Sequence, residues 1–457
     1  MSGFIHEWRL MARSRLALAA VALLLALSTL AVVLGTREIT REQRTMDHLA
    51  TLQAQELAAQ ARKYAQGADA GSAAYYTFHS TWSPPSSAAF LAIGLRDASP
   101  YVLRIRALAL QAQLHEGESF NPELALAGRF DFAFVLVYLA PLFLIALLHD
   151  LVSGERQSGR LGTLLSMPGA GGRLWLRRAG LRTALVLAAL MLPVLLGGWA
   201  NGTAGVALAT VALVTAAYLA FWSGLTLIVA TRASDSTASA TMLMGCWAVL
   251  TLVLPTLASA TLTRTVPVRQ GVELMLAQRQ AVHGAWDLPR ETTMAQFFRT
   301  HPELQRTSPL PAGFHWKWYY AFQQLGDESV APQVAAYRDG LLARQHWTAR
   351  LGWLLPGVGV QAALHRQAGT DLSAQLAYQD RIADFHARLR GFYYPYLFND
   401  VRFGPQDFAA QPRFDPPSSD EPMPVGSLLG LAWLGATMLL LGARAAGRVR
   451  LFPRSRI

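Results

Sequence analysis

The chain alternates between long apolar runs without charge and polar stretches. About 20 helical residues, at 1.5 Å each, cross the hydrocarbon core of a bilayer, so an uncharged apolar run of about 17–25 residues is typical of a transmembrane helix. Such runs predict an all-α membrane protein with six spans. The runs lie at 16–35, 132–148, 183–199, 204–230, 238–260 and 425–443, and the second span is predicted over 129–149, with Asp131 and His149 bounding its run.

A cleaved signal peptide is the alternative interpretation of the first run, because Arg9, Arg13 and Arg15 precede it. The length of the run, the polar helical stretch after it and the lack of a convincing small-residue cleavage site favour an uncleaved helix. The third and fourth runs are separated only by residues 200–203 and are predicted to form a hairpin.

Two long segments, 36–128 and 261–424, separate the apolar runs. Residues 37–66 lack Gly and Pro, so span one is predicted to continue outward as a helix. The apolar stripe of this helix is expected to pack on its own domain, with a coiled coil to a second subunit as the alternative. The stripe consists of Ile39, Met46, Leu49 and Leu52.

The second long segment predicts a mostly helical domain. Helices are expected at 267–283, 291–299, 329–352 and 358–391, with breaks at 308–311 and 355–357. A Pro- and Asp-rich linker over 411–424 leads back to the last span. The fold class is therefore six transmembrane helices with a mostly helical domain in two pieces.

Composition supports this class. Only 15% of the 457 residues are charged, against about 25% in a soluble globular chain, which argues against an ordinary cytosolic enzyme. The single cysteine, Cys246, excludes an intrachain disulfide framework and a multi-thiolate metal site.

The net charge of +11 is unevenly distributed. The two long segments carry 24 basic and 24 acidic residues, and the rest of the chain carries 16 basic and five acidic residues. By the positive-inside rule, residues 1–15, 150–182 and 444–457 are cytoplasmic, both termini included, and the long segments are periplasmic in a bacterial inner membrane. Because the surplus follows the topology, membrane lipid rather than nucleic acid is the expected partner.

Motifs for catalysis are absent from the sequence. A phosphate loop needs a lysine after glycine, whereas Lys63 and Lys317 follow Arg62 and Trp316. No H-E-x-x-H, C-x-x-C or G-x-S-x-G occurs, and the spans lack the charged residues in mid-span that a proton-coupled transporter would usually have. We expect no enzymatic activity, cofactor or metal on this chain, and an energy source in another subunit.

Two aromatic clusters lie in the second long segment, at 315–320 and 392–396. Trp and Tyr suit a surface with one apolar and one wet side, but the core of a helical domain is the interpretation that we favour. The histidines of this segment lack ligand spacing and are expected to be ordinary core or surface residues. The candidate interaction residues are Trp316, Trp318, Tyr319, Tyr393 and Tyr394.

The connection between spans two and three carries the most informative pattern. Ser153 is predicted to cap a short helix with Glu155 in its first turn. Gly159 and Gly162 are expected to permit close backbone approach. Apolar residues after them predict an amphipathic helix along the inner membrane face, either as a plain anchor or as a docking surface. These residues are Leu161, Leu164, Leu165 and Met167.

This stretch resembles the E-x-x-x-G-T-L-x-x-L-L-x-x-P signature of ABC-2 type transporter permeases. Arg160 stands where the family usually has Thr. Residues 6–9, 121–132 and 301–304 are similar to a branch with a large periplasmic domain between spans five and six. The residues in register with the signature are Glu155, Gly159, Leu161, Leu164, Leu165 and Pro168.

The resemblance implies a permease that pairs with a second copy or a related permease and binds two P-loop ATPase subunits, which hold ATP and Mg. It implies that the loop around Glu155 is the coupling helix and that spans two and five line the path. Pro141 and Pro255 are candidate kinks in these spans. The implied coupling residues are Glu155, Gly159 and Leu161 and, as weaker candidates, Asp150, Arg156 and Arg160.

The leading hypothesis is therefore the permease subunit of an ATP-driven exporter. The alternative is a non-transporting membrane scaffold or sensor whose periplasmic domain binds an envelope partner and signals through the same loop. A membrane enzyme is disfavoured, because the sequence offers no acid–base or nucleophile constellation.

Overall fold

Among the residues that the computed structural model describes, six helices are long and apolar enough to cross a membrane, as predicted for an all-α membrane protein. The structure describes residues 7–9, 11–67, 69–115, 129–166, 172–268, 271–416 and 425–449. In chain order, spans one to six are Arg15–Lys63, 132–148, Gly172–Ala200, Gly205–Arg232, Ser236–Thr265 and Val425–Gly447.

Shorter elements connect the spans. After span one come α1 (Ala70–Tyr76), the antiparallel strands β1 (His79–Trp82) and β2 (Val102–Ile105), and α2 (Leu110–His115). After span two come α3 (Ser153–Gln157) and α4 (Leu161–Ser166). After span five come α5 (Gly271–Gly284), α6 (Arg290–Thr300), α7 (Trp316–Leu351), α8 (Pro356–Ala368), α9 (Leu372–Phe398) and α10 (Pro405–Ala410).

Helix boundaries in the second long segment differ from the prediction in two places. Helix α7 begins at Trp316 rather than at 329, because the aromatic cluster forms its first turns. The helix predicted at 358–391 is two helices, since Gly369 adopts the left-handed conformation (φ 63°) that ends α8. The β1–β2 pair was not predicted.

Span one continues into the predicted long helix, 49 residues in all. Ile39 and Met46 of its stripe are buried in this chain, whereas Leu52 is 43% exposed. The stripe therefore packs on its own chain over part of its length, as expected.

Spans four and six pack so closely that their backbones are in contact at glycine residues. A Cβ added to Gly224 would lie 2.2 Å from Met438 O, and one added to Gly435 would lie 2.4 Å from Ala217 O. Small residues let membrane helices approach closely, and van der Waals contact then stabilises the pair.

The two prolines predicted as kinks follow π-helical segments. Val135–Leu139 precedes Pro141 in span two, and Val249–Val253 precedes Pro255 in span five. Proline cannot donate to the carbonyl four residues before it, so that carbonyl needs another partner. For Pro141 this is Val137 O, which accepts from the Tyr218 hydroxyl of span four at 2.8 Å.

Helix α8 packs among the spans. Its residues Val360 and Leu364 are fully buried in the core of the bundle, and a Cβ at Gly357 would lie 3.5 Å from Val137 and 3.7 Å from the Tyr218 hydroxyl. Segment 261–424 is predicted as one periplasmic domain, whereas α8 packs against the spans. The end of α7 contacts α8 at Gly352 and Gly359, so the two helices form a hairpin of which α8 contributes to the core of the bundle.

A second hydrophobic core, here called the accessory domain, is built by α1, α2, the strands and α5, α6, α7, α9 and α10. Aromatic rings fill it, and Phe297, for example, stacks on Phe398 with ring centroids 5.2 Å apart. Gly71 admits Trp316, because a Cβ there would lie 2.2 Å from the Trp316 Cβ.

Candidate functional site

Span two leads through a helical turn into α3, the first helix of the predicted coupling loop. The N–H of Gly154 donates to Asp150 O at 2.9 Å, so helical hydrogen bonding begins before Ser153 and this residue does not occupy the N-cap position. Its predicted capping role is wrong, and its hydroxyl instead donates to His149 O at 2.9 Å.

Gly159 forms the turn between α3 and α4 with a φ of 71°. This left-handed conformation costs a residue with a Cβ about 1–2 kcal/mol and is free for glycine. A Cβ at Gly159 would have no neighbour within 4 Å, so the expected close backbone approach is wrong at this residue. The turn leaves the Arg160 side chain 69% exposed and Leu161 only 2% exposed.

Glu155 is the centre of an ion-pair network that connects α3 to span three. Its Oε1 lies 3.1 Å from Arg178 Nη1, and its Oε2 lies 2.9 Å from Arg160 Nε. Arg178 also lies 3.2 Å from a carboxylate oxygen of Glu7, as does Arg177. The side chains of Glu155, Arg178 and Glu7 are 17%, 14% and 7% exposed. Glu155 therefore holds α3 against span three, and little of its side chain is left on the surface.

Arg156 connects α3 to the region where spans four and five meet. Its guanidinium donates to Thr231 O at 3.0 Å and to Ala233 O. The last carbonyls of a helix lack partners within the helix, and a cation there also suits the helix dipole. The adjacent Gln157 accepts from the N–H of Ser236, the first residue of span five, at 3.4 Å.

Asp150 contributes less to the loop. Its Oδ1 lies 3.5 Å from Arg182 Nη1 and its side chain is 52% exposed, and an exposed pair of this kind contributes about 0–1 kcal/mol. A cavity of about 730 Å³ opens beside the pair. Its lining includes Glu7, Met11, His149, Asp150, Glu155 and Arg178.

The outer surface of the loop is polar. Leu161 belongs to the core of the bundle, and Leu164 and Leu165 pack against that core, so α4 is amphipathic as predicted. Pro168 and residues 121–128, which contributed to the family resemblance, lie outside the described residues. Over residues 150–166, which the structure describes, the exposed residues are Asp150, Gln157, Ser158, Gly159, Arg160, Thr163 and Ser166.

The aromatic clusters lie in the core of the accessory domain. Trp318, Tyr393 and Tyr394 are at most 5% exposed, so the candidate interaction surface is not present at these three residues. Trp316 and Tyr319 are half-buried and pack on Tyr75, with ring centroids 5.3 and 5.9 Å away. Apolar burial explains the clusters, as the favoured interpretation expected.

A buried polar network that the sequence did not indicate crosses the accessory domain. Asp327 accepts from Arg390 at 3.0 Å and from the N–H of Leu110 at 2.8 Å, and burial raises its pKa. His386 lies 2.6 Å from Leu108 O, and burial lowers its pKa well below the ordinary value. Within the described residues, no group of three or more His, Cys, Asp or Glu is arranged to hold a metal ion.

Comparison with known proteins identifies similarity in one part of the chain. A family model described as a domain of unknown function, DUF3526, matches residues 272–416. No curated protein and no solved structure matches the chain. The matched region runs from α5 to beyond α10, and it therefore includes most of the accessory domain and the α8 helix.

Proposed function

We propose that this chain is the permease subunit of an ATP-driven exporter in the bacterial inner membrane. Separate P-loop ATPase subunits would bind at α3 and α4, and movement of these helices would be passed to the spans. ATP and Mg would be held by those partners, since this chain has no phosphate loop.

The observation that carries the proposal is the set of contacts around α3. This five-residue helix follows span two directly and is joined to span three through Glu155, to span four through Arg156 and to span five through Gln157. A displacement of α3 therefore acts on four spans at once. A plain membrane anchor would not need these contacts.

Side chains of the loop divide into two roles. The exposed polar residues 157–160 would contact the ATPase. The largely buried ion pairs of Glu155, Arg178 and Glu7 would pass the movement of α3 to span three. Charge-assisted hydrogen bonds contribute about 1.5–3 kcal/mol each, enough to keep α3 and span three moving together.

A second permease, either a copy of this chain or a related one, would cover the spans that are exposed in a single chain. Within one chain, 11% of the apolar window of span five and 22% of that of span one are buried, against 61% for span two. Small residues on the exposed side of span five suit close packing against another helix. They include Thr241, Gly245, Thr256 and Ser259.

The test is co-purification of the full-length chain from its native membrane in a mild detergent. The proposal predicts that a P-loop ATPase co-purifies, and that Arg160→Glu lowers its yield while Arg232→Glu does not. Arg232 is the matched control, because it is also exposed and is the last residue of span four, on the same predicted face of the membrane. Recovery without any ATPase, or with an envelope protein alone, would support the scaffold or sensor alternative.

A further inference from the structure

A cleft of about 550 Å³ lies between the C-terminal half of α7, α8, the start of α9 and the beginning of span six. Sites for small molecules typically measure about 300–1,000 Å³. The cleft is therefore large enough for one elongated small molecule and too small for a folded partner.

One end of the cleft is apolar and lies beside a span. Its wall includes Gly359 of α8 and Leu431, which belongs to the apolar window of span six. Trp353 forms the border of this end beside span six, because a Cβ at Gly430 would lie 2.9 Å from the Trp353 ring. An acyl chain would find only apolar and backbone atoms along these residues.

The other end of the cleft is polar. Arg366 lies 3.3 Å from Asp371, and Arg344 donates from Nε to Val266 O at 2.9 Å. Burial lowers the pKa of His365, so this imidazole is neutral near neutral pH and the surplus positive charge belongs to the arginines. Arg344 lies seven residues before Leu351, the last residue of α7, so it is about 10 Å along the helix from the end that leads to Trp353.

An exposed tryptophan lies at the apolar end. Trp353, which lines the cleft, is 46% exposed, and Leu354, the next residue in the chain, is 74% exposed. Tryptophan is enriched where a membrane meets water. The apolar end therefore opens toward the bilayer, and a ligand with a hydrocarbon chain can enter from the membrane.

We propose that this cleft binds one anionic lipid from the surrounding bilayer. The acyl chain would lie along Gly359 and Leu431, and the phosphate would accept hydrogen bonds from the guanidinium groups of Arg344 and Arg366. This inference requires that span six lies in a membrane, and it is independent of ATPase coupling.

The experiment uses the full-length chain in phosphatidylcholine nanodiscs that contain a trace of photoreactive phosphatidylglycerol with a diazirine in one acyl chain. After irradiation, cross-linked peptides are quantified by mass spectrometry. Labelling is expected to concentrate on residues 341–366. Ala362→Phe places a ring in the wall of the cleft and should lower the labelling about tenfold, because the ring would occupy space that the acyl chain needs. Ala336→Phe, at an exposed position of α7 outside the lining of the cleft, should leave the labelling unchanged.

The headgroup assignment is tested by competition. Unlabelled phosphatidylglycerol should displace the probe better than phosphatidylcholine does, and Arg344→Gln should reduce that preference about tenfold without disturbing the apolar wall. Equal labelling of Ala362→Phe and Ala336→Phe would overturn the site. Equal competition by the two lipids would overturn the anionic headgroup, and equal competition by free glycerol phosphate would overturn the lipid assignment.

Discussion

Substitution of Gly159 separates the backbone requirement of the proposed coupling loop from its side-chain contacts. The residue has a φ of 71° and open space around its Cβ position, so alanine adds strain without a clash. Gly159→Ala should destabilise the α3–α4 turn by about 1–2 kcal/mol. Gly159→Asn should cost less, because asparagine tolerates the left-handed conformation better.

Gly154 provides the matched control within α3. A Cβ at Gly154 would meet only the Asp150 Cβ, at 3.4 Å, which is close to ordinary contact. Gly154→Ala should therefore stabilise α3 by up to about 1 kcal/mol through helix propensity. The same chemical change thus has opposite effects at two glycines five residues apart.

Hydrogen–deuterium exchange of the full-length protein measures these local effects. A loss of about 1–2 kcal/mol should accelerate exchange of peptides from 153–166 by about 5–30-fold in Gly159→Ala. Gly154→Ala should slow the same peptides. Equal exchange in the two alanine variants, or faster exchange in Gly159→Asn than in Gly159→Ala, would refute this account of the turn.

Two further predictions concern the accessory domain and the α8 helix. Burial lowers the pKa of His79 to about 4. As pH falls below about 6.5 the unfolded chain binds a proton that the folded chain excludes, so stability should fall by about 3 kcal/mol toward pH 4. Thermal unfolding midpoints should decline less with acid in His79→Phe, and an identical decline would contradict the prediction. Gly357→Leu should collide with Val137 and destabilise the fold by about 1–3 kcal/mol, which lowers the thermal unfolding midpoint. Gly391→Leu, at an open position, should leave the midpoint unchanged. Equal midpoints in the two variants would contradict the position of α8 among the spans.

The six spans could be predicted because each is an uncharged run near the length that crosses a bilayer. Helix α8 was missed because the uncharged run 351–364 has only 14 residues. Runs of about 10–14 residues are more typical of re-entrant or interfacial segments than of spans. That signal was present in the sequence and would have separated α8 from the rest of the accessory domain.

The contacts of the candidate site were less accessible to sequence reasoning. A local pattern identified Glu155, but the ion pair that connects it to span three depends on Arg178. Arg178 in turn pairs with Glu7, which is 171 residues away in the sequence. The role of Gly159 was misassigned, since a glycine alone does not reveal whether conformation or space requires it. Ser153 looked like a cap only because span two was expected to end completely before α3.

The most direct test of the central claim is the ATPase activity of a reconstituted complex of this chain with the proposed ATPase partner. Glu155→Arg places a positive charge beside Arg178 and Arg160 and removes both ion pairs of Glu155. The account predicts that the variant reaches the membrane and binds the ATPase, yet loses most transport-linked ATP hydrolysis, whereas Arg232→Glu keeps it. ATP hydrolysis in Glu155→Arg equal to that of the unsubstituted complex would contradict the coupling role.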